Sequence, residues 1–210
     1  MHLLSMQLFG ESLAIADFPS SAQEFVGIGM SDVGRYAELL PTKMHYVNTF
    51  YHKEARLDIQ KPAPEHIDAY NFVVSSDVME HVPPPISSAF KNLRAILKRG
   101  GVLILTVPFL LSADTEEHFP DLYDYRIVKR NGSQLLINQT IDGRTQEYSD
   151  LIFHGGPGST LKMRVFSESG LIRELGRAGF GEITVHRGPC FDAGIYWNVP
   201  WSVPITALAM

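Results

Sequence analysis

NFVVSSDVMEHVPPPISSAFKNLRAILKRGGVLILTVPF, residues 71–109, is the stretch that decides the fold. It starts in an apolar, β-branched run, Tyr70–Ser75, with the composition of a buried strand. Prolines 83–85 suit the first turn of a helix, where backbone N–H groups have no carbonyl partner. Ile86, Phe90, Leu93 and Leu97 then form one apolar stripe, with Ala89 and Ile96 beside it, which predicts a helix over Pro84–Lys98. Lys98 and Arg99 suit its negative end, and Gly100-Gly101 stops it. Val102–Val107 reads as a strand buried on both faces, closed by Pro108. Strand, helix, strand with a tight turn is a βαβ unit, which implies a parallel sheet with helices outside it. Asp77, Glu80 and His81 therefore fall at the carboxyl end of a parallel strand, where open α/β sheets bind ligands.

Upstream of this unit, Glu24–Ile28 is short and apolar and runs into Gly27, Gly29, Ser31 and Asp32. Val33–Leu40 has helical spacing and stops before Pro41; Met44–Phe50 and Arg56–Ile59 read as strands, the second ending on Asp58. Leu13–Phe18 reads equally as a strand or an apolar lead-in. Downstream, residues 112–157 change texture. Tyr125–Arg130, Leu135–Thr140 and Thr145–Leu151 alternate, with Asn131-Gly132 and Asp142-Gly143 between them, both strong hairpin signals. Ser167 then caps a helix to Ala178, ended by Gly179; Glu182–Arg187 and Trp201–Leu208 are the last predicted strands. The expected architecture is α/β and Rossmann-like: a mostly parallel sheet flanked by helices. Residues 1–210 form a single domain, with 112–157 as an antiparallel β-meander insertion or lid.

Composition narrows the partners. The chain has 210 residues and a net charge of −5, without a long basic run, which argues against duplex nucleic acid. A single cysteine, Cys190, excludes an internal disulfide and a zinc site built of cysteines. No apolar run approaches the ~20 residues a membrane helix needs. The N-terminal stretch lacks a basic leader and a small-residue cleavage site, so a cytoplasmic location is expected.

FVGIGMSDVGRYAELL (25–40), LDI (57–59) and residues 71–109 together resemble the class I S-adenosylmethionine-dependent methyltransferases, in particular their small-molecule type 11 group. FSESGLIRELGRAGF (166–180) is similar to the last third of that fold. The resemblance implies S-adenosyl-L-methionine as cofactor and methyl transfer to an oxygen or nitrogen of a small-molecule or sugar-like acceptor. It implies that Gly27 and Gly29 let the backbone approach the cofactor's amino-acid portion beside Ser31, with its carboxylate on the amides of the next helix. A second register aligns Gly34 with the last family glycine and puts Met30 and Asp32 where the earlier ones belong. Where the family has a ribose-binding acid, this chain offers Asn48 and Thr49, neutral groups without charge assistance. Asp58 resembles the acid near the adenine amine; the alternative is a turn aspartate. Asp77 would lie beneath the methionine portion.

Positions three and four apart share a face in a helical turn, so Asp77, Glu80 and His81 converge. His81 is the candidate general base, because imidazole titrates near neutral pH, and Asp77 is its catalytic neighbour. An acid-x-x-Glu-His pattern also resembles the metal site of some O-methyltransferases, yet no metal is assigned here. His118 and Tyr123, in HFPDLYDY, and His154, in the loop 154–158, are the candidate substrate contacts, since loops at a ligand edge carry function; aromatic packing and a Gly/Pro turn are the structural alternatives. Two rival functions follow. The departures in the glycine loop fit a catalytically silent domain used as a binding or interaction module. A nicotinamide enzyme requires a third loop glycine at position 32, which is aspartate.

Overall fold

The computed structural model describes residues 1–154, 160–197 and 200–210. The chain runs through α1 (His2–Phe9), β1 (Val26–Met30), α2 (Gly34–Leu39), β2 (His45–Thr49), β3 (Tyr70–Ser76), α3 (Ile86–Ile96) and β4 (Leu97–Thr106). A β-rich region follows: β5 (Phe109–Leu110), β6 (Glu116–Glu117), β7 (Asp124–Arg130), β8 (Ser133–Gln139), β9 (Thr145–Tyr148), β10 (Phe153–His154), β11 (Thr160–Leu161) and β12 (Arg164–Ser167). The chain closes with α4 (Glu168–Ala178), β13 (Phe180–Val185) and β14 (Ile205–Ala209).

Six strands form the main sheet in the order β13-β14-β4-β3-β1-β2. Strands β1 to β4 pair in parallel, and β14 is antiparallel to both its neighbours. The α/β class and mostly parallel sheet follow from the βαβ pattern as expected. The stripe on α3 explains its seat: Ala89, Phe90, Leu93 and Ile96 are buried against Val73, Leu103 and Leu105 of the sheet, together with Leu171 and Leu175 of α4. The other face is covered by α1 and the segments after it, with Leu4, Phe18 and Leu40 buried on Phe72 and Val74. The sequence reading had not singled out α1. Helix α4 begins and ends as its sequence dictates: the Ser167 hydroxyl oxygen accepts from Gly170 N–H at 3.0 Å, and Gly179 is left-handed.

Three expectations are corrected. Arg56–Ile59 is not a strand; a single parallel bridge joins Phe50 and Arg56, so β2 is the sheet edge. Residues 51–56 are exposed, while Leu57 and Ile59 turn into the core, so their burial wins over a seventh strand. The last strand starts at Ile205 rather than Trp201, because Pro204 lacks the N–H a ladder needs. The β-rich region spans 109–167, wider than 112–157, because β12 returns to pair with β5 and β6. The meander β7-β8-β9 itself forms as predicted, with Asn131 and Gly132 both left-handed in the first turn (φ 52° and 85°). This region has its own small core of Phe119, Leu136, Leu161 and Met163. No helix among the described residues is long and apolar enough to cross a membrane.

Candidate functional site

The chain leaves β1 to form β2 on one side and later returns to form β3 on the other. This reversal is a topological switch point, and the crevice beyond the ends of β1 and β3 is where such sheets hold ligands. Two buried carboxylic acids flank it.

On the β1 side, Asp32 is only 6 % exposed. One of its oxygens, Oδ2, accepts a short hydrogen bond from the Tyr46 hydroxyl; the other, Oδ1, is buried without a partner. Tyr36, on α2, lies near enough to Asp32 to act on its charge. Burial raises the Asp32 carboxyl above the usual range, against the opposing pull of the two tyrosines. Asn48 clamps the Asp32 backbone: its Oδ1 accepts from Asp32 N–H at 2.9 Å and its Nδ2 donates to the Asp32 carbonyl at 3.0 Å. The Thr49 hydroxyl donates to the Gly29 carbonyl at 2.7 Å. Asn48 and Thr49 are thus committed to the β1 turn. Ser31 sits in that turn with φ 60°.

The two glycines of β1 have a packing reason that the sequence did not disclose. A Cβ on Gly27 would lie 2.0 Å from the Phe72 ring; one on Gly29 would lie 1.9 Å from the Tyr46 hydroxyl and 2.2 Å from Asp32 Oδ2. Tyr46 and Phe72, from the strands on either side, stack over β1 with ring centroids 6.1 Å apart. The two glycines therefore make room for these side chains as well as leaving the backbone of β1 uncovered by a Cβ. The helix that follows, α2, is six residues long. Asp58 is half-buried, and its Oδ1 accepts from Gln60 N–H at 3.0 Å, a turn aspartate rather than a strand end.

On the β3 side, Asp77 is exposed with φ 52°, its N–H bonded to the Thr106 carbonyl. The following turn, residues 79–81, carries Glu80 and His81. Glu80 is 2 % exposed, with Oε2 unpartnered. Burial pushes its carboxyl up to about 7, with Asp77 adding to the rise and Lys162 and Arg164 opposing it. The His81 Nδ1 is 2.9 Å from the Leu161 carbonyl, and its Nε2 is 3.7 Å from Glu80 Oε1. Burial lowers the His81 imidazole, offset by the Leu161 bond, with His154 and Lys162 lowering it further and Asp77 raising it.

The inserted region holds this turn in place. Met163 N–H donates to the Glu80 carbonyl at 2.9 Å. Arg164, fully buried, donates from Nη1 to the carbonyls of Val82 (2.6 Å) and Met79 (3.2 Å), and from Nε to Glu117 at 2.7 Å. The His154 ring lies 5.7 Å from that of His81. His118 is anchored on the same segment, its Nδ1 3.2 Å from the Lys162 carbonyl, while Tyr123 is exposed on the surface. Of the three expected substrate contacts, only His154 is placed beside His81; the rest of its loop, 155–159, lies outside the described residues. Asp32, Tyr36, Lys162 and Arg164 escaped the sequence reading as site residues. For Arg164 a signal existed, a cation between Met163 and Val165 in an otherwise apolar run. No cluster of three or more metal-ligating side chains is present among the described residues. A wide groove of about 610 Å³ beside α3 and α4 is lined by Pro84, Ile86, Lys91 and Arg177, and none of the crevice acids borders it.

A methyltransferase domain family model matches residues 19–184, and the chain belongs to that family. Its fold is that of the class I S-adenosylmethionine-dependent methyltransferases. An S-adenosylmethionine-dependent methyltransferase from Mesorhizobium loti is similar at 11 % identity over 92 % of this chain and 94 % of its own, with TM-score 0.54. The CurJ carbon methyltransferase is similar at 13 % identity over 93 % of this chain and 51 % of its own, with TM-score 0.54. CalS10 from Micromonospora echinaspora, an amino pentose methyltransferase solved with S-adenosylmethionine bound, is similar at 14 % identity over 91 % and 87 %, with TM-score 0.51. No curated protein matches the sequence.

Proposed function

We propose that this methyltransferase uses S-adenosyl-L-methionine to methylate an oxygen or nitrogen of a small-molecule or sugar-like acceptor, with His81 taking the proton. The observation that carries this reading is the distribution of orphaned polar atoms. Buried polar groups are almost always paired. Of six buried side-chain atoms without partners among the described residues, three lie at the proposed site: Asp32 Oδ1 and Ser75 Oγ at the ends of β1 and β3, and Glu80 Oε2 in the turn beyond β3; the others are Arg164 Nη2, Glu174 Oε2 and Trp197 Nε1. A cationic donor with an ammonium group and a positively charged sulfur fits a crevice lined by three acids, Asp32, Asp77 and Glu80. When bound, that cofactor supplies an activated methyl group. Asp32 and Ser75 would receive the polar end of its amino-acid portion, beside Ser31 and the turn that follows Gly27 and Gly29. Asp58, through the oxygen not bonded to Gln60, is the candidate for the nucleoside end, and Asn48 and Thr49 would shape that end through the β1 turn they hold. Asp77 would face the reacting end.

The acceptor would enter between this crevice and the inserted region, against His154, with His118 and Tyr123 further out. The amino pentose acceptor of CalS10 supports a sugar-like substrate, and the carbon acceptor of CurJ defines the alternative to exclude. Titration calorimetry with S-adenosylhomocysteine tests the first half: micromolar binding is expected, weakened by Asp32→Asn. No heat at millimolar ligand would instead favour the silent interaction module. A screen of amino sugars, phenols and carbon acids with radiolabelled donor tests the second half; label found only on carbon would overturn the choice of heteroatom.

A further inference from the structure

We infer that Glu80 and His81 act as one proton-accepting pair, with Glu80 the positioning residue that stabilises the imidazolium formed on His81; this rests on the methyl-transfer reading above. The geometry has three parts. First, a carbonyl oxygen can only accept, so the bond to Leu161 fixes the hydrogen of the neutral ring on Nδ1 and leaves the lone pair on Nε2. Second, that nitrogen lies 3.7 Å from Glu80 Oε1, too far for a hydrogen bond but close enough for a strong charge interaction once the ring is protonated. Third, both side chains are shielded from water, at 9 % and 3 % exposure, so the interaction is little screened.

Every charged group around the pair can be placed. Asp77 precedes it on the same turn. Lys162 and Arg164 approach from the segment ending in β12, Arg164 being paired to Glu117, and His154 approaches from β10. The Glu80 carbonyl and the turn carbonyls of Met79 and Val82 are held by Met163 and Arg164, so the backbone that carries the pair is fixed at three points.

The chemistry balances. When an O–H or N–H acceptor is methylated, the lone pair of its heteroatom makes the new bond to carbon. The electrons of the breaking carbon–sulfur bond stay on sulfur, and the acceptor's proton passes to Nε2. One positive charge disappears from sulfur as another appears on the imidazole. Where Glu80 is ionised, above about 7, the imidazolium that forms would have a carboxylate oxygen 3.7 Å from Nε2, and the positive charge lost from sulfur would be regained on the ring.

The test needs no acceptor. Histidine ring carbons are labelled with carbon-13, the His81 signal is assigned by its loss in His81→Gln, and the signal is followed through a pH titration. In the wild type, His81 should show a second inflection from Glu80. In Glu80→Gln its own midpoint should fall by roughly one to three pH units, and Glu80→Asp, which keeps the charge, should recover part of that fall. Superimposable titrations in wild type and Glu80→Gln would overturn the pair, and Glu80→Asp decides the matter should the glutamine variant fail to fold. S-adenosylhomocysteine calorimetry on the same samples separates the two claims. Binding without coupling removes the pair alone, whereas coupling without binding leaves the pair standing and removes the methyl-transfer reading.

Discussion

Two buried acids stand on either side of one switch point, and they are held in opposite ways. Asp32, after β1, is closed in by residues of the α/β body: Tyr46 and Tyr36 on its carboxyl and Asn48 on its backbone. Glu80, after β3, keeps one buried carboxyl oxygen, Oε2, without a partner and sits next to an imidazole, in a turn fastened by Met163 and Arg164 of the β-rich region. The first arrangement fixes a loop. The second keeps a titratable pair unsatisfied and makes its position depend on an insertion that the rest of the sheet does not need. On the proposed reading, chemistry falls where the body meets the β-rich region 109–167, and rigidity where the body meets itself.

Arg164→Met is the strongest way to break this contrast. It takes the charged donor from the carbonyls of Met79 and Val82, leaving Met79 only the Val82 N–H, and should cost about 3–5 kcal/mol, read as a fall in urea midpoint. The His81 ring signal should broaden while those near Tyr46 stay in place; equal disturbance on both sides would end the contrast. Glu80→Gln sharpens it through pH. In the native protein Glu80 holds its proton up to about 7, while the unfolded chain releases it near 4.5. The Glu80 contribution to stability is therefore fully present below 4.5, falls as pH rises through that window and levels off above it, a loss of about 3 kcal/mol at most, while the lowered His81 and His186 imidazoles act with the opposite sign as pH falls below 6.5. Asp32, also raised, contributes with the same sign as Glu80. Glu80→Gln should lose the Glu80 share of the slope, keep the shares of Asp32 and the two lowered histidines, and exceed the wild type in stability at pH 8; an unchanged slope would show that Glu80 titrates normally. Gly27→Ala acts on the body side alone. Its Cβ would meet the buried Phe72 ring, and overpacking of this kind costs about 1–3 kcal/mol, seen as a lower melting temperature with the His81 titration unmoved. Ser167→Ala removes the cap of α4 and should cost about 1 kcal/mol, with no change at either acid.

Much of the fold was legible because the signals are local. The stripe Ile86–Ile96, the Ser167 cap and the Asn131-Gly132 turn each act within a few residues. The seventh strand failed because the same short segment, Leu57 and Ile59, satisfies a strand pattern and a core-plug pattern equally well. The site was half legible. Glu80 and His81 stood out as polar residues after a buried strand. Asp32 was visible only as a misplaced residue in a glycine loop, and Asn48 and Thr49 looked available until their hydrogen bonds were accounted for. Arg164 is 84 residues from Glu80, and no periodicity links the two.

By itself, the sequence determined the βαβ core, the meander and the edge of the sheet where ligands go, since apolar period, caps and turn residues encode these within one element. Only the tertiary structure decided that Gly27 and Gly29 make room for Phe72 and Tyr46, that Asn48 is committed to a loop, and that a buried arginine fastens the turn bearing His81. Those outcomes depend on which side chains meet across strands distant along the chain, and a hydrogen-bonding group cannot reveal from its own neighbours in sequence whether a partner will arrive.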